Sequence, residues 1–261
     1  MQNPIRGNRV RQDRNFDNMA EQFEKRIYGS LKGRLRLDLL KEDLDKLRNG
    51  KKMRIFDAGC GMGQIGLWFA EAGHEVSGCD ISSKMLEKAG EAFAAKGLKA
   101  KLYHEEAQSV STKIPQQDLL LVHAILEWLA DPADSLESIS KCIKPGGYIS
   151  LLFFNHHGFV YRNVLHGTWR FDYILDESWI GKGKKLTPPH PQKPEVIKEW
   201  LRSHGYEIVE YTGIRVFYDY ITDDVLEESD LDKLLALEHK YCRSETFRDM
   251  GRYIHILAQM K

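Results

Sequence analysis

The chain has 261 residues, with 38 basic and 38 acidic side chains and a formal net charge of zero. That balance excludes a protein basic all over, and no apolar run approaches the roughly 18 residues that a membrane-spanning helix needs. Four scattered cysteines (Cys60, Cys79, Cys142, Cys242) lack CxxC or CxxH spacing, and no signal-peptide pattern stands at the start, so a reduced, soluble, cytoplasmic chain without a metal is expected.

Residues 1–14, with Arg6, Arg9, Arg11 and Arg14, read as a flexible arm. Residues 15–47 read as a helical cover, because Phe16, Met19, Ala20, Phe23 and Ile27, then Leu35, Leu39, Leu40 and Leu44, fall near helical spacing. Residues 53–56 form a first predicted strand, which runs through Asp57 into Gly59-Cys60-Gly61-Met62-Gly63. A helix over 64–72, a strand over 74–79 and Asp80 follow, and Ser82 is placed to cap a helix over 84–96. Residues 99–104 and the apolar run 118–123 are strands three and four. Asp134, with Glu137 three residues on, reads as a helix start. Lys144-Pro145-Gly146-Gly147 reads as a turn before strand five at 148–154. Residues 155–192 lack clear periodicity and read as a lid-like insertion over the site. A helix over 195–204, a strand over 207–216, a helix over 231–241 and a strand over 253–259 complete a chain expected to form one domain.

Charge is uneven along this chain. Residues 178–194 contain no acid, but hold Lys182, Lys184, Lys185, Lys193 and His190; residues 223–232 are mostly acidic. Each run fits a solvated surface, and the lysines also fit a rim for phosphates.

The glycine turn admits two cofactors. Glycines at alternate positions let backbone approach a nucleoside ligand at the first strand–helix turn of a doubly wound sheet. Gly61-x-Gly63-x-x-Gly66 spells the dinucleotide fingerprint, but late in the turn and after an acid. Asp80 can accept ribose hydroxyls from either a nicotinamide dinucleotide or S-adenosylmethionine. Asp57 to Gly63 resembles motif I of class I S-adenosylmethionine-dependent methyltransferases, and Pro145-Gly146-Gly147 resembles the turn before their strand five.

Further segments narrow the resemblance. Asp13-Arg14-Asn15-Phe16-Asp17, Ile27-Tyr28-Gly29, Lys32-Gly33-x-Leu35-Arg36, His123-Ala124-x-Leu126-Glu127-Trp128-x-Ala130-Asp131-Pro132, Phe154-Asn155-x-His157-Gly158, Thr212-Gly213-x-Arg215-Val216-Phe217-x-Asp219-Tyr220 and Gly251-Arg252-Tyr253-Ile254-His255 occur in this order. Together they resemble the bacterial tRNA 5-carboxymethoxyuridine methyltransferase family from Gln12 to Ala258, with Cys60 where a glycine is familiar. The resemblance implies an α/β fold: a Rossmann-like seven-stranded sheet with an antiparallel last strand, an N-terminal helical cover and an insertion after strand five. It implies S-adenosylmethionine as cofactor and the wobble carboxymethoxyuridine of tRNA as acceptor. Arg36 would pair with the cofactor carboxylate, Gly59, Cys60 and Gly61 would give backbone contacts, and Asp80 would hold the ribose. Ala107 and Gln108 would border the adenine, and His123 the methionine part.

An acceptor carboxylate needs no general base, but it needs cations and donors around its unreactive oxygen. Candidates are Arg215, Tyr220, Arg252, Tyr253 and His255, carried on two segments expected on neighbouring strands, with Asn155 and His157 after strand five. The insertion mixes Tyr161, Trp169, Phe171, Tyr173 and Trp179 with Arg162, Arg170 and Lys182, Lys184 and Lys185, suited to stacking bases and neutralising phosphates. Two other readings stay open. One is a carboxyl or oxygen methyltransferase for small metabolites; the other is a cofactor-binding RNA-interaction protein without turnover.

Overall fold

A computed structural model describes residues 12–17, 30–177 and 187–261. Helix α1 (Leu31–Arg48) starts at Ser30, whose hydroxyl accepts the Gly33 N–H, and ends with Lys46 and Arg48 near its negative pole. Leu35, Leu39, Leu40 and Leu44 form its buried stripe, as the spacing predicts. The expected helix does not begin at Asn15. Residues 15–17 form no α-helix, because the Asn15 amide donates to the Ile81 carbonyl (2.9 Å) and Asp17 accepts the Ser82 hydroxyl (2.6 Å). Residues 18–29, which carry the rest of that expectation, lie outside the described ones.

Strand and helix then alternate: β1 (Arg54–Ala58), α2 (Gln64–Ala70), β2 (Glu75–Asp80), α3 (Ser83–Ala95), β3 (Lys101–His104), α4 (Ala107–Ser111), β4 (Gln117–His123), α5 (Pro132–Ser140) and β5 (Ile143–Phe154). The chain continues through α6 (His156–Leu165), α7 (Phe171–Leu175), α8 (Pro194–Ser203), β6 (Tyr206–Ile214), α9 (Asp223–Glu228), α10 (Leu231–Tyr241), α11 (Glu245–Arg248) and β7 (Tyr253–Met260). The seven strands lie in the order β3-β2-β1-β4-β5-β7-β6. β1 to β5 pair in parallel, and β7 runs antiparallel between β5 and β6.

Burial on both faces explains the unbroken apolar strands. In β4, Leu119 and Leu121 pack with the α1 leucines, while Leu120 and Val122 pack on the other side with Leu136, Ile139, Ile197 and Leu201. Ser82 caps α3 as expected, accepting the Met85 N–H at 3.2 Å. The start of α5 is a correction. Asp131 is its cap and accepts the Asp134 N–H, because Pro132 takes the first helical position, where its missing N–H costs nothing. The Lys144–Gly147 turn is a bulge inside β5: pairing to β4 jumps from Gln117↔Ile143 to Leu119↔Tyr148. The segment after β5 is also more regular than its sequence suggests, since α6 begins at once with Asn155 as its cap.

Candidate active site

The strand order reverses between β1 and β4, where an open α/β sheet has its crevice at the carboxyl ends. A cavity of about 240 Å³ lies there. Gly59, Gly61 and Gly63 have φ of 68°, 54° and 71°. At Gly59 a Cβ would stand 2.3 Å from Ile125 Cγ2, so a side chain is excluded by both conformation and space. The Cys60 N–H donates to the Cys79 carbonyl at 2.8 Å, which ties the glycine turn to the end of β2.

Asp80 follows there. One of its oxygens accepts the Gly61 N–H (2.9 Å) and the other the Ser82 N–H (2.8 Å), so the carboxylate is fixed with lone pairs to spare. Burial still pushes its pKa upward. Asp57, deeper in the crevice, is raised by burial and then by Asp80 to about 7. Two carboxylates in one crevice suit a cationic ligand. Raised values favour the protonated forms in the folded, ligand-free protein. The stabilising contribution of Asp57 is therefore full below the unfolded value near pH 4 and lost as pH rises through about 7. A bound cation reverses that preference. Its affinity is expected to climb with pH up to about 7 and then level, as read by calorimetry; a flat profile from about pH 5 to 8 would rule the pairing out.

At the other end, Gln108 Nε2 donates to Ser135 Oγ (3.0 Å) and Asp13 Oδ2 (3.3 Å). Its Oε1 is buried and has no hydrogen-bond partner among the described residues. Asp13 also accepts the Ala130 N–H at 2.7 Å. Phe16 meets Trp128 edge-on at 5.1 Å, and the Arg14 guanidinium lies over both rings. Asp13 and Arg14, expected in a flexible arm, therefore belong to the cavity wall with Phe16; residues 1–11 lie outside the described ones. Sequence reasoning missed these residues and Trp128 as site groups, although two of the quoted segments contain them.

His123 ends β4, with Nε2 2.7 Å from Ser150 Oγ. Burial above all, with the Arg36 guanidinium nearby, holds its pKa well below the usual histidine range, so the ring is neutral. Arg36 reaches from α1 over the Tyr253 ring at 5.8 Å. One cavity thus brings together Arg36, Gly59, Cys60, Gly61, Asp80, Ala107, Gln108 and His123, with Tyr253 in its wall.

Tyr253 leads to a second cluster. Its register partners are Phe154 on β5 and Ile214 on β6, so Arg215 and Arg252 flank the same sheet edge, and the Arg252 N–H donates to the Arg215 carbonyl (3.2 Å). The Arg215 guanidinium lies over the Tyr253 ring at 5.3 Å, and its Nε is 2.8 Å from Asp219 Oδ2. Burial would raise Asp219, but Arg215, Arg252, Lys32 and Arg162 outweigh it and hold the carboxyl below its usual range. Burial lowers the Arg252 guanidinium to about 10, so it stays charged at neutral pH. Its Nη1 is buried without a hydrogen-bond partner among the described residues. Arg215 in this cluster and Ala124 in the cavity wall both hold positive φ (61° and 56°), a strain that residues other than glycine keep only where the surroundings enforce it.

Residues 55–147 match the family model described as a methyltransferase domain. Over 254 residues, 95% of this chain and 97% of the relative, the chain is 40% identical to the tRNA 5-carboxymethoxyuridine methyltransferase of Escherichia coli (strain K12). The chain belongs to this family. It is also 29% identical to the ubiquinone biosynthesis O-methyltransferase of Proteus mirabilis (strain HI4320), over 72% of this chain and 73% of that one. Among solved structures, magnesium protoporphyrin IX methyltransferase from Synechocystis PCC 6803 with bound SAH aligns with a TM-score of 0.61 at 15% identity, covering 94% of this chain and 96% of that one. That likeness supports the fold: the seven-stranded methyltransferase sheet with an antiparallel last strand. The cofactor of this methyltransferase is S-adenosylmethionine.

The remaining acceptor-side expectations for this methyltransferase divide. Asn155 is fully buried and donates to the Asp249 (2.8 Å) and Gly251 (2.7 Å) carbonyls, so it anchors the segment before Arg252 and has no surface to offer a substrate. The Tyr220 hydroxyl donates to the Met250 carbonyl and likewise braces that segment. His255 is fully buried, with its ring nitrogens committed to Asp43 and Ser150. In each case a polar side chain beside a ligand-facing strand end turned out to satisfy a buried partner. His157 pairs with Glu195 at 2.9 Å on the surface. Lys182, Lys184 and Lys185 lie outside the described residues.

Proposed function

We propose that this methyltransferase esterifies the carboxylate of 5-carboxymethoxyuridine at the wobble position of tRNA, with S-adenosylmethionine as donor. The observation that carries this reading is Arg252 Nη1, a buried cationic donor lacking a hydrogen-bond partner among the described residues, one position from Tyr253 in the cofactor cavity wall. A buried cation of this kind fits an anionic oxygen better than a neutral acceptor.

The donor supplies an electrophilic methyl group when bound. The chain's residues bind, align and keep water away, because the acceptor is already ionised at neutral pH and needs no base. Asp80 would hold the ribose hydroxyls, the Gly59–Gly61 backbone would lie against the nucleoside, and Arg36 would pair with the cofactor carboxylate. Gln108 Oε1 suits the adenine amine, being a buried acceptor without a partner among the described residues. Arg252, supported by Arg215, would hold the acceptor oxygen that does not react.

The surface after β5 supports an RNA acceptor. Tyr161, Trp169, Phe171 and Tyr173 are exposed, Trp169 to 66%, and the Arg170 guanidinium lies 4.5 Å over the Trp169 ring. Aromatics in a lid packed inward would be covered; these offer stacking faces to splayed loop bases. Trp179 lies outside the described residues. Incubating the protein with S-adenosylmethionine and tRNA bearing unesterified 5-carboxymethoxyuridine, followed by nucleoside mass spectrometry, should yield the methyl ester at a rate that falls steeply with salt. Cofactor binding without ester on any tRNA would overturn the reading.

A further inference from the structure

Behind the cofactor cavity, four polar side chains from four elements stand in file. Asp43 Oδ2 on α1 is 2.6 Å from His255 Nδ1 on β7. His255 Nε2 is 2.8 Å from Ser150 Oγ on β5. Ser150 Oγ is 2.7 Å from His123 Nε2 on β4. Asp43, His255 and Ser150 are buried, and only His123 reaches the cavity wall. At the outer end, Asp43 Oδ1 accepts from Arg243 Nη2 (2.5 Å) and Nε (3.2 Å).

Proton counting orders this file. Arg243 pairs with both Asp43 and Glu42, and a single proton on fully buried His255 keeps a second cation out of the interior beside it. The carboxylate can only accept, which puts the single His255 proton on Nδ1. His255 Nε2 is then a bare acceptor and takes the one Ser150 hydroxyl proton. Ser150 Oγ must in turn accept, so His123 donates from Nε2. His123 is neutral, and its Nδ1 is left with a lone pair.

We propose that Asp43, His255 and Ser150 are positioning residues that fix His123 as the Nε2–H tautomer, presenting its Nδ1 lone pair to the cavity as acceptor for the ammonium group of the cofactor's amino acid end. The direction of the file rests on its geometry and on a single proton at His255; the ammonium partner rests on the cavity holding S-adenosylmethionine. A second tautomer would turn a donor toward that ammonium and repel it.

Asp43→Asn tests the direction of the file. The side-chain carbonyl of the substituted amide remains the acceptor for Arg243 and its NH₂ faces His255, so every proton downstream reverses and His123 becomes the Nδ1–H tautomer. Imidazole nitrogen NMR on the cofactor-free protein is expected to show His123 protonated at Nε2 in the natural chain and at Nδ1 in Asp43→Asn. Ser150→Ala should remove the dependence of His123 on residue 43. S-adenosylmethionine should bind Asp43→Asn about 10- to 100-fold more weakly. Methylthioadenosine, which lacks the amino acid end, should bind both proteins alike and reports that the variant is folded. An unchanged His123 tautomer with S-adenosylmethionine binding intact would overturn the relay, as would equal losses for both ligands. A switched tautomer in a protein that binds neither nucleoside would instead overturn the cofactor reading.

Discussion

Arg252→Met is expected to lower turnover on 5-carboxymethoxyuridine tRNA by about 100-fold or more, with the dissociation constant for S-adenosylmethionine nearly unchanged. The guanidinium is buried against the Phe154 ring (4.4 Å), and Met keeps much of that packing. What Met loses is the cation beside the cavity wall. A carboxylate brought there would be buried without a partner, which is costlier than never having been bound. Affinity for tRNA as a whole rests on many phosphate contacts, so the loss should fall mainly on kcat. Arg252→Lys should recover only part of the activity, because a single ammonium cannot meet an acceptor carboxylate with the two-pronged contact of a planar fork. Steady-state kinetics alongside calorimetry for the cofactor separate the effects. Full turnover in Arg252→Met would remove Arg252 from the acceptor site.

Asp80→Asn should act on the opposite substrate, weakening S-adenosylmethionine by about 10- to 100-fold while leaving the KM for tRNA nearly unchanged. Both carboxylate oxygens already accept backbone N–H groups, from Gly61 and Ser82. An amide there must point its NH₂ at one of those donors, which leaves a donor facing a donor and removes lone pairs from the ribose side. The glycine turn would relax away from the crevice in response. Calorimetry with S-adenosylmethionine reads the change, and a variant binding as tightly as the natural protein would exclude Asp80 as the ribose acceptor.

The parts of this molecule legible in its sequence are those governed by local pattern. The apolar run of β4, the left-handed glycines after β1, the Ser82 cap and the adjacency of the Arg215 and Arg252 segments follow from periodicity, turn chemistry and quoted motifs. The misplaced residues are polar groups whose partners lie far along the chain. Asn155 bonds to carbonyls near residue 250, and His255 to Asp43, more than two hundred positions away. Nothing local distinguishes such a side chain from one facing a ligand. Asp131 displaced Asp134 as the α5 cap through Pro132, a signal that was present and outweighed by the capping-box spacing. Phe16 shows the converse: it stands outside any helix, with its ring set against Trp128.

The short N-terminal strap over the nucleoside end has a kinetic consequence. Asp13 is tied to Ala130, Asn15 to the Ile81 carbonyl and Asp17 to Ser82, while Phe16 rests on Trp128. A spent nucleoside leaving on that side must wait for these small contacts to part, an opening of the low-energy, local kind. Residence time and affinity are then written in different places. On the proposed cofactor reading, Asp80 would set the depth of the well and residues 12–17 the height of its rim.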